Sequence, residues 1–389
     1  MPATNWTVTI GGTSFTSITQ SLSFTVGRSS WFDTPTGNNC TLTVRNNTGQ
    51  AASLSQGDQI VIGNDLGSVS MYFYVVEVTF QDEISANADT ATITGTDALG
   101  MMSLFYVNDD PVIGYTNAIY QAGLIAQEVY PFVPPYPTAT ATNGRATVSD
   151  AFDPTTIGQR VVELLQTENS TYYYDGATLE FRTSAAPADS LTTFGTDSAT
   201  TIIYDGLTRK YPNANYPNVV NLTSTTAGTT YATSPSNYER NYNRQVLFNT
   251  VSQQQAQTDY LAAILSDDSQ LYVDVRFNDV AQSTTPLTSF LNAIGAMSGQ
   301  TTQLTYTPPG GEAITSTFVI EGASMSAIPG RTDWIVYLSP RLLYDLFTLD
   351  SSTFGILGGT MVYNTPITYN DAGETYNATA TDNGNRLGW

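Results

Sequence analysis

The chain has 389 residues, 41% of them hydrophobic, and its 34 acidic and 13 basic residues give a formal net charge of −21. Because it has no histidine and only one cysteine, Cys40, histidine-based catalytic triads, histidine zinc sites and internal disulfides are excluded. DNA-binding proteins set basic side chains against phosphates, so the acidic charge also argues against sequence-specific DNA binding.

The first hundred residues predict a series of short antiparallel strands. Residues that favour strands fill segments 6–10, 22–26, 41–44, 60–62, 72–79 and 91–94, and Gly or Asn turn residues follow most of them. This regular spacing predicts a barrel or a sandwich. Cys40 alternates with Leu42 and Val44, which predicts a buried apolar side chain rather than a nucleophile.

The next hundred residues predict helices and a hairpin. Thr116 is a possible N-cap for one helix, and Asp153-Pro154 precedes a second. The apolar residues of the second helix follow a helical period on one face: Ile157, Val161, Leu164 and Leu165. Segment 172–181 predicts a hairpin with Asp175-Gly176 at its turn.

Strand patterns return at 201–233 and are followed by two helices. Ser252 and Gln255 form a possible capping box for the first of them, which carries Ala256, Leu261, Ile264 and Leu265. Thr285-Pro286 opens the second, with an apolar stripe of Phe290, Leu291, Ile294 and Met297. Segments 303–307, 315–321 and 334–338 predict strands, and 308–311 predicts a turn between the first two.

The element order predicts a fold that is mainly β with inserted helices, an α+β fold with two antiparallel β-barrels and an α/β insert domain. The chain is longer than the roughly 250 to 300 residues that one hydrophobic core supports, so several domains are expected. The predicted boundaries are 1–107 for the first barrel, 108–200 and 237–298 for the insert, 201–236 and 299–343 for the second barrel, and 344–389 for a C-terminal extension.

Three groups of segments resemble bacteriophage tail hub proteins, also called baseplate hub or minor tail proteins. The first group is GRSSWFD at 27–33 with CTLTV at 40–44, and the second is VVELL at 161–165 with the hairpin that ends in LEFR at 179–182. The third is FVIEG at 318–322, IPG at 328–330, WIVYLSP at 334–340 and FTLD at 347–350. Together they cover most of residues 18–350 in the order expected for the family. The chain departs from the family in its sparse charges and its lack of an embedded hydrolase segment.

The resemblance implies two tail-tube-like barrels per subunit and a homotrimeric ring in the virion. Such a ring joins the sixfold tail tube or distal tail protein to a threefold spike, fibre or tip protein, beside the tape measure protein. It forms part of the channel through which phage DNA passes without specific binding. The acidic charge fits either a well-solvated surface or a channel wall that repels the passing DNA. This structural role implies no catalytic activity, no cofactor and no metal.

Two other functions remain open on the sequence. Paired carboxylates about 5 to 10 Å apart hydrolyse glycosides, and Glu163 with Glu168, or Glu312 with Glu321, are nominal pairs. However, Glu163 on a helix flank and Glu312 after a Gly-Gly turn both predict solvated surface. A receptor-binding or decoration protein of the tail is the other alternative, since tyrosine, Thr and Asn suit surface recognition.

Three acidic segments offer oxygen ligands for a metal: Asn108-Asp109-Asp110, Asp267-Asp268 and Asp382-Asn383-Gly384-Asn385. Their spacing does not match a calcium loop, so they predict turns and no metal site.

The C-terminal extension contains the predicted partner contacts. Apolar residues lie in Gly-rich and Asn-rich segments of this extension. The candidate partner-contact residues are Phe354, Ile356, Leu357, Leu387 and Trp389. A terminal tryptophan can dock into a neighbour's pocket. The chain has no run of about 18 apolar residues that could cross a bilayer and no secretory signal pattern at its start. Synthesis in the host cytoplasm is therefore expected.

Overall fold

The computed structural model describes residues 5–31, 33–67, 70–81, 89–104, 106–107, 138–141, 155–167, 170–174, 178–182, 189–210, 219–224, 226–233, 241–265, 272–340, 367–368 and 375–376. Within these ranges the protein is mostly antiparallel β-sheet with few helices, as predicted. One large sheet of 14 strands spans most of the molecule.

The first module comprises seven strands and one short helix. Its elements are β1 (Trp6–Ile10), β2 (Thr13–Ser14), β3 (Thr19–Gly27), β4 (Asn39–Arg45), β5 (Gln59–Asn64), β6 (Met71–Gln81), β7 (Thr90–Thr96) and α1 (Ala98–Met102). The strands pair antiparallel in the order β3-β4-β7-β6-β5-β1-β2. All six predicted strands are confirmed, because alternating apolar side chains such as Cys40, Leu42 and Val44 point into one core.

A smaller group of elements follows. It comprises β8 (Tyr106–Val107), β9 (Thr138–Ala141), β10 (Thr155–Thr156), α2 (Ile157–Thr167), β11 (Thr171–Tyr174) and β12 (Thr178–Arg182). Strands β11 and β12 form the predicted antiparallel hairpin, and β9 pairs parallel with β12. The predicted stripe of Ile157, Val161, Leu164 and Leu165 is buried along α2. Thr116, Asp153, Pro154, Asp175 and Gly176 lie outside the described residues.

The chain then enters the large sheet and leaves it again. Strands β13 (Asp189–Gly195), β14 (Ile202–Ile203) and β15 (Gly206–Lys210) belong to that sheet. A separate three-stranded sheet comes next, made of β16 (Val219–Ser224), β17 (Gly228–Thr233) and β18 (Asn241–Gln245). Helix α3 (Val251–Leu265) packs against β16 and β17.

The second module is completed by β19 (Tyr272–Asn278), α4 (Thr284–Ala293), β20 (Thr301–Tyr306), β21 (Ile314–Ile328) and β22 (Arg331–Pro340). Around β21 the strands run β14-β13-β20-β21 on one side and β21-β22-β19-β15 on the other. The predicted stripe of Phe290, Leu291, Ile294 and Met297 is buried along α4 and the turn after it. Further on, β23 (Ile367–Thr368) pairs with β24 (Thr375–Tyr376). Short 3-10 helices occupy Thr16–Ile18, Gln50–Ser53, Asp279–Ala281 and Ile294–Ala296.

Two features differ from the sequence predictions. The described ladders leave the large sheet open, so they close neither module into a barrel. The capping box at Ser252 was wrong: Ser252 lies inside α3, and Thr250 Oγ1 accepts a 3.4 Å hydrogen bond from the Gln253 N–H.

An aromatic cluster joins the cores of the two modules. Trp334 of β22 lies 5.8 Å from Phe24 and 6.0 Å from Trp6, measured between ring centroids. On its other side the Trp334 ring is 4.9 Å from Phe290 in an edge-to-face arrangement. Because rings from both modules interdigitate around Trp334, the two modules share one continuous hydrophobic core.

Candidate functional site: a buried polar seam between the modules

Strand β21 belongs to both modules. One of its edges pairs with β22 along residues 318–328. On its other edge, residues 314–319 pair with β20, and residues 322–327 pair with 22–27 of β3. The line along which β21 passes from one module to the other is called the seam here; it is formed by Gly27, Arg28, Asn38, Asp97, Tyr172, Ser298, Glu321 and Gly322.

Two glycines face each other where the backbones approach most closely at the seam. Gly27 is the register partner of Gly322 and has a φ of 69°, in the left-handed region. A Cβ atom on Gly27 would lie 2.2 Å from the Glu321 carbonyl oxygen, and one on Gly322 would lie 2.2 Å from that of Val26. Since no side chain fits at such distances, both positions require glycine.

A buried ion pair lies beside the glycines. Arg28 Nε is 2.7 Å from Glu321 Oε2, and the two side chains are only 3% and 2% exposed. The Arg28 N–H also donates a 3.1 Å hydrogen bond to the Glu321 carbonyl oxygen. The charges of a buried pair are compensated only while both partners are present, so this pair favours one alignment of the two modules.

The β11–β12 hairpin is attached to β21 through two hydroxyl groups. Ser298 Oγ donates a 2.9 Å hydrogen bond to the Glu321 carbonyl oxygen, and Thr171 Oγ1 lies 2.8 Å from Ser298 Oγ. All three residues are buried. The hairpin is therefore linked through Ser298 to Glu321, the acidic member of the buried ion pair.

A second contact joins the same hairpin to the first module. The Tyr172 hydroxyl accepts a 3.1 Å hydrogen bond from the Asn38 N–H and lies 2.7 Å from Thr36 O and 2.9 Å from Asp97 Oδ2. Because the hydroxyl has one proton, it donates to one of these two acceptors at a time. Asp97 Oδ1 in turn accepts a 3.0 Å hydrogen bond from Gly100 N–H and caps α1.

Burial governs the protonation of this contact. Desolvation raises the pKa of Asp97 from 3.8 to about 6, although hydrogen bonds from Gly100 and Tyr172 partly offset the rise. Burial also raises the pKa of Tyr172 well above its ordinary value, and the neighbouring Asp97 carboxylate adds to the rise. Asp97 is thus a group of the seam that changes charge in mildly acidic solution.

Two further tyrosines extend the contact between hairpin and first module. The hydroxyl groups of Tyr74 and Tyr174 are 2.6 Å apart, and their ring centroids are 6.3 Å apart. Burial raises the pKa of Tyr74 to about 12, so the Tyr74 hydroxyl stays neutral at physiological pH. The hairpin therefore contacts the first module through side chains.

The candidate catalytic carboxylates that the structure describes, Glu163, Glu312 and Glu321, do not lie together in a cleft. Glu321 is buried against Arg28, whereas Glu312 is exposed after the turn at 308–311. Glu163 is partly exposed and lies 3.6 Å from Arg160 in an ion pair, and Glu168 lies outside the described residues. A carboxylate fixed to a buried guanidinium cannot reach a substrate, so the nominal pair of Glu312 and Glu321 does not provide a hydrolytic acid and base.

The remaining predicted sites are only partly covered by the structure. Cys40 is buried, as predicted, and burial raises the pKa of its thiol. The three acidic segments considered for metals and the partner-contact candidates Phe354, Ile356, Leu357, Leu387 and Trp389 lie outside the described residues. Among the residues that the structure does describe, no group of three or more His, Cys, Asp or Glu side chains could hold a metal ion.

Sequence reasoning missed most of the seam. Arg28 belonged to a recognised segment, but neither its partner nor the role of Asp97 was predicted. One available signal was Asp97 ahead of Ala98 and Leu99, since Asp before an apolar helical segment is a typical N-cap. Over the described part of the chain, no helix has the length and apolar character required to span a bilayer.

Comparison with known proteins gives matches in structure but not in sequence. No protein-family model matches the chain, and no curated protein sequence is similar to it. The tail protein from Neisseria meningitidis MC58 superimposes with a TM-score of 0.62 at 12% identity, over 88% of this chain and 98% of that one. The 43 kDa tail protein of prophage MuSo2 from Shewanella oneidensis gives 0.55 at 11% identity, with the same coverage. The chain thus has the fold of phage tail proteins, and the predicted resemblance is confirmed at the level of the fold.

Proposed function

We propose that this protein is a structural subunit of a phage-type tail, acting as the hub of the tail tip. The observation that carries the proposal is the extent of the shared fold, which covers 88% of this chain and 98% of two phage tail proteins. A match over nearly the full length of those proteins includes both β modules and the parts between them. The proposed role is assembly and requires no reaction.

In the proposed assembly three copies form a ring. Each subunit contributes two β modules, which approximate sixfold symmetry toward the tail tube or distal tail protein and keep threefold symmetry toward a spike, fibre or tip protein. Contacts between different surfaces of identical chains close into a ring when the rotation fits. Open sheet edges can pair with another chain, and in the described ladders β2, β14 and β15 lie at the ends of the large sheet.

The seam supports this proposal because ring closure depends on a constant angle between the two modules. The β3–β21 ladder, the glycine crossing and the Arg28–Glu321 pair all favour one alignment. In a trimer, the net charge of −21 per chain would repel DNA from the channel wall and so keep it from binding during passage. The tape measure protein and the threefold partner complete the proposed set of neighbours, and the proposed location is the virion tail tip.

Native mass spectrometry of the purified full chain tests the proposal, together with negative-stain imaging of the same sample. We expect particles of three 41.9 kDa chains with a central opening. Glu321→Ala should lower the fraction of closed rings under conditions in which the variant is folded. Asp333→Ala, which removes an exposed carboxylate paired with Arg331, is the matched control and should leave the rings intact. A wild-type chain that remains a monomer, or that forms an elongated rod, would contradict the hub.

A further inference from the structure

The three-stranded sheet has one face directed away from helix α3. Register places Asn221 opposite Tyr231 and Asn243, and Thr223 opposite Thr229 and Gln245, so these six side chains share that face. Together with Thr233, Asn241 and their register partner Val219, which is buried, they form what is called the polar face here. The alternate residues Leu222 and Thr230 are buried on the side that contacts α3.

The polar face differs in chemistry from the surface expected for an acidic chain. Besides the buried Val219, its side chains are three Asn, one Gln, three Thr and one Tyr, and none is charged, although the chain carries 34 acidic residues. Amide and hydroxyl groups each offer both donors and acceptors of hydrogen bonds without a net charge. The face is therefore suited to a ligand that is rich in hydrogen-bonding groups and uncharged.

Several groups on the polar face are held in place before any ligand arrives. Asn221 Nδ2 donates a 2.8 Å hydrogen bond to Asn243 Oδ1, and the hydroxyl groups of Thr223 and Thr229 are 3.1 Å apart. Side chains that are already ordered lose less conformational entropy on binding. Each amide and hydroxyl keeps further hydrogen-bonding positions beyond these contacts.

Tyr231 adds an exposed aromatic ring to this surface. Its side chain is 55% exposed, and the backbone of β17 is fixed there by a 3.3 Å hydrogen bond from Gln255 Nε2 to the Tyr231 carbonyl oxygen. Tyrosine provides a large, rigid contact area with an apolar ring and a polar tip at low entropic cost. The C–H face of a sugar ring fits an aromatic ring of this kind, while the sugar hydroxyls fit the neighbouring amides.

We propose that the polar face binds a neutral polysaccharide, that is, a chain of uncharged sugar rings. An acidic glycan would be repelled by the net charge of −21, whereas a neutral one would not. The buried centre of a protein–protein contact is enriched in several aromatic residues, Met and Arg, and the polar face carries one aromatic residue and neither of the others. These two comparisons favour a neutral glycan over an acidic glycan and over a protein partner.

This inference goes beyond the hub and can be tested on the purified full chain without any tail assembly. Isothermal titration calorimetry with dextran oligosaccharides, and with neutral galactose, mannose and N-acetylglucosamine oligosaccharides, measures the binding directly. We expect binding to at least one of these probes and none to polygalacturonate, an anionic glycan. Tyr231→Ala and Asn221→Ala should each weaken the binding about tenfold, which corresponds to about 1.4 kcal/mol.

Two matched variants control for general effects of the substitutions. Phe80→Ala removes another exposed aromatic ring, 45% exposed, and Thr305→Ala breaks an exposed threonine pair of 2.8 Å in the second module. Both should bind the glycan as wild type does, and thermal melts show whether every variant is folded. The proposal is overturned if no neutral probe binds at millimolar concentration, or if Tyr231→Ala and Asn221→Ala bind as wild type does. It is also overturned if these substitutions change only the mass of the native particle, since a second copy of the chain would then occupy the face.

Discussion

The two joints of the first module are built in different ways. Its joint with the second module is a backbone ladder, residues 22–27 against 322–327, with a shared aromatic core behind it. Its joint with the β11–β12 hairpin relies on side-chain hydroxyls, those of Tyr172 and Tyr174, and the described ladders do not connect the two. The backbone hydrogen bonds of a ladder do not titrate, whereas the hairpin joint depends directly on the carboxyl group of Asp97.

The largest loss of stability is expected from a substitution that forces the two strands of the ladder joint apart. Gly27→Ala places a Cβ 2.2 Å from the Glu321 carbonyl oxygen in a backbone with positive φ, so β3 and β21 must separate. We expect a loss of about 5 kcal/mol or more in the free energy of unfolding, measured by urea denaturation. The control is Gly12→Ala, where φ is +80° and no atom lies within 4 Å of the added Cβ. This variant should lose only about 1 kcal/mol from backbone strain, and equal losses at both positions would show that the crossing is unimportant.

Removing one charge from the ladder joint has the next largest expected effect. Glu321→Ala leaves the Arg28 guanidinium buried without its partner, which typically destabilises a protein by about 4 kcal/mol. The double variant Arg28→Met, Glu321→Leu removes both charges and should recover most of that loss, because apolar pairs of similar volume often replace a buried ion pair. Urea denaturation of Arg28→Met, Glu321→Leu and the double variant checks the coupling. Additive losses would mean that the pair does not act as a unit.

The sequence predicted the elements of these joints better than the joints themselves. Alternation of Cys40, Leu42 and Val44 predicted β4, and the stripe of Leu164 and Leu165 predicted α2, because both patterns depend on neighbours in sequence. The Arg28–Glu321 pair joins residues 293 positions apart, and no local pattern encodes such a contact. The capping box at Ser252 failed for a different, local reason, since Thr250 two residues earlier supplies the same kind of hydroxyl.

The pairing of the strands shows the same limit of local patterns. Strands β13 and β16 both combine Ser or Thr with apolar residues, yet β13 pairs in the large sheet and β16 in a separate one. Strand propensity indicates that a segment forms a strand but not which partner it takes, because partner choice depends on packing across the fold. The sequence did not predict the polar face either, because this face forms only when β16, β17 and β18 align in register.

The hairpin joint should show a pH dependence that comes from Asp97. The pKa of Asp97 is about 6 in the folded protein, against an ordinary value of 3.8, because burial favours the neutral acid. The folded state therefore binds this proton more tightly, and the stability it contributes is fully present below about pH 4 and is lost as the pH rises through 6. Between pH 4.5 and pH 7.5 the loss should be about 2 kcal/mol relative to Asp97→Asn, which keeps a capping side chain but cannot ionise. Urea denaturation of both proteins across this range measures the difference between their free energies of unfolding. Contributions from titrating groups that both proteins share cancel in this difference. Parallel stability curves for the two proteins would show that Asp97 titrates normally and that its protonation does not affect the hairpin joint.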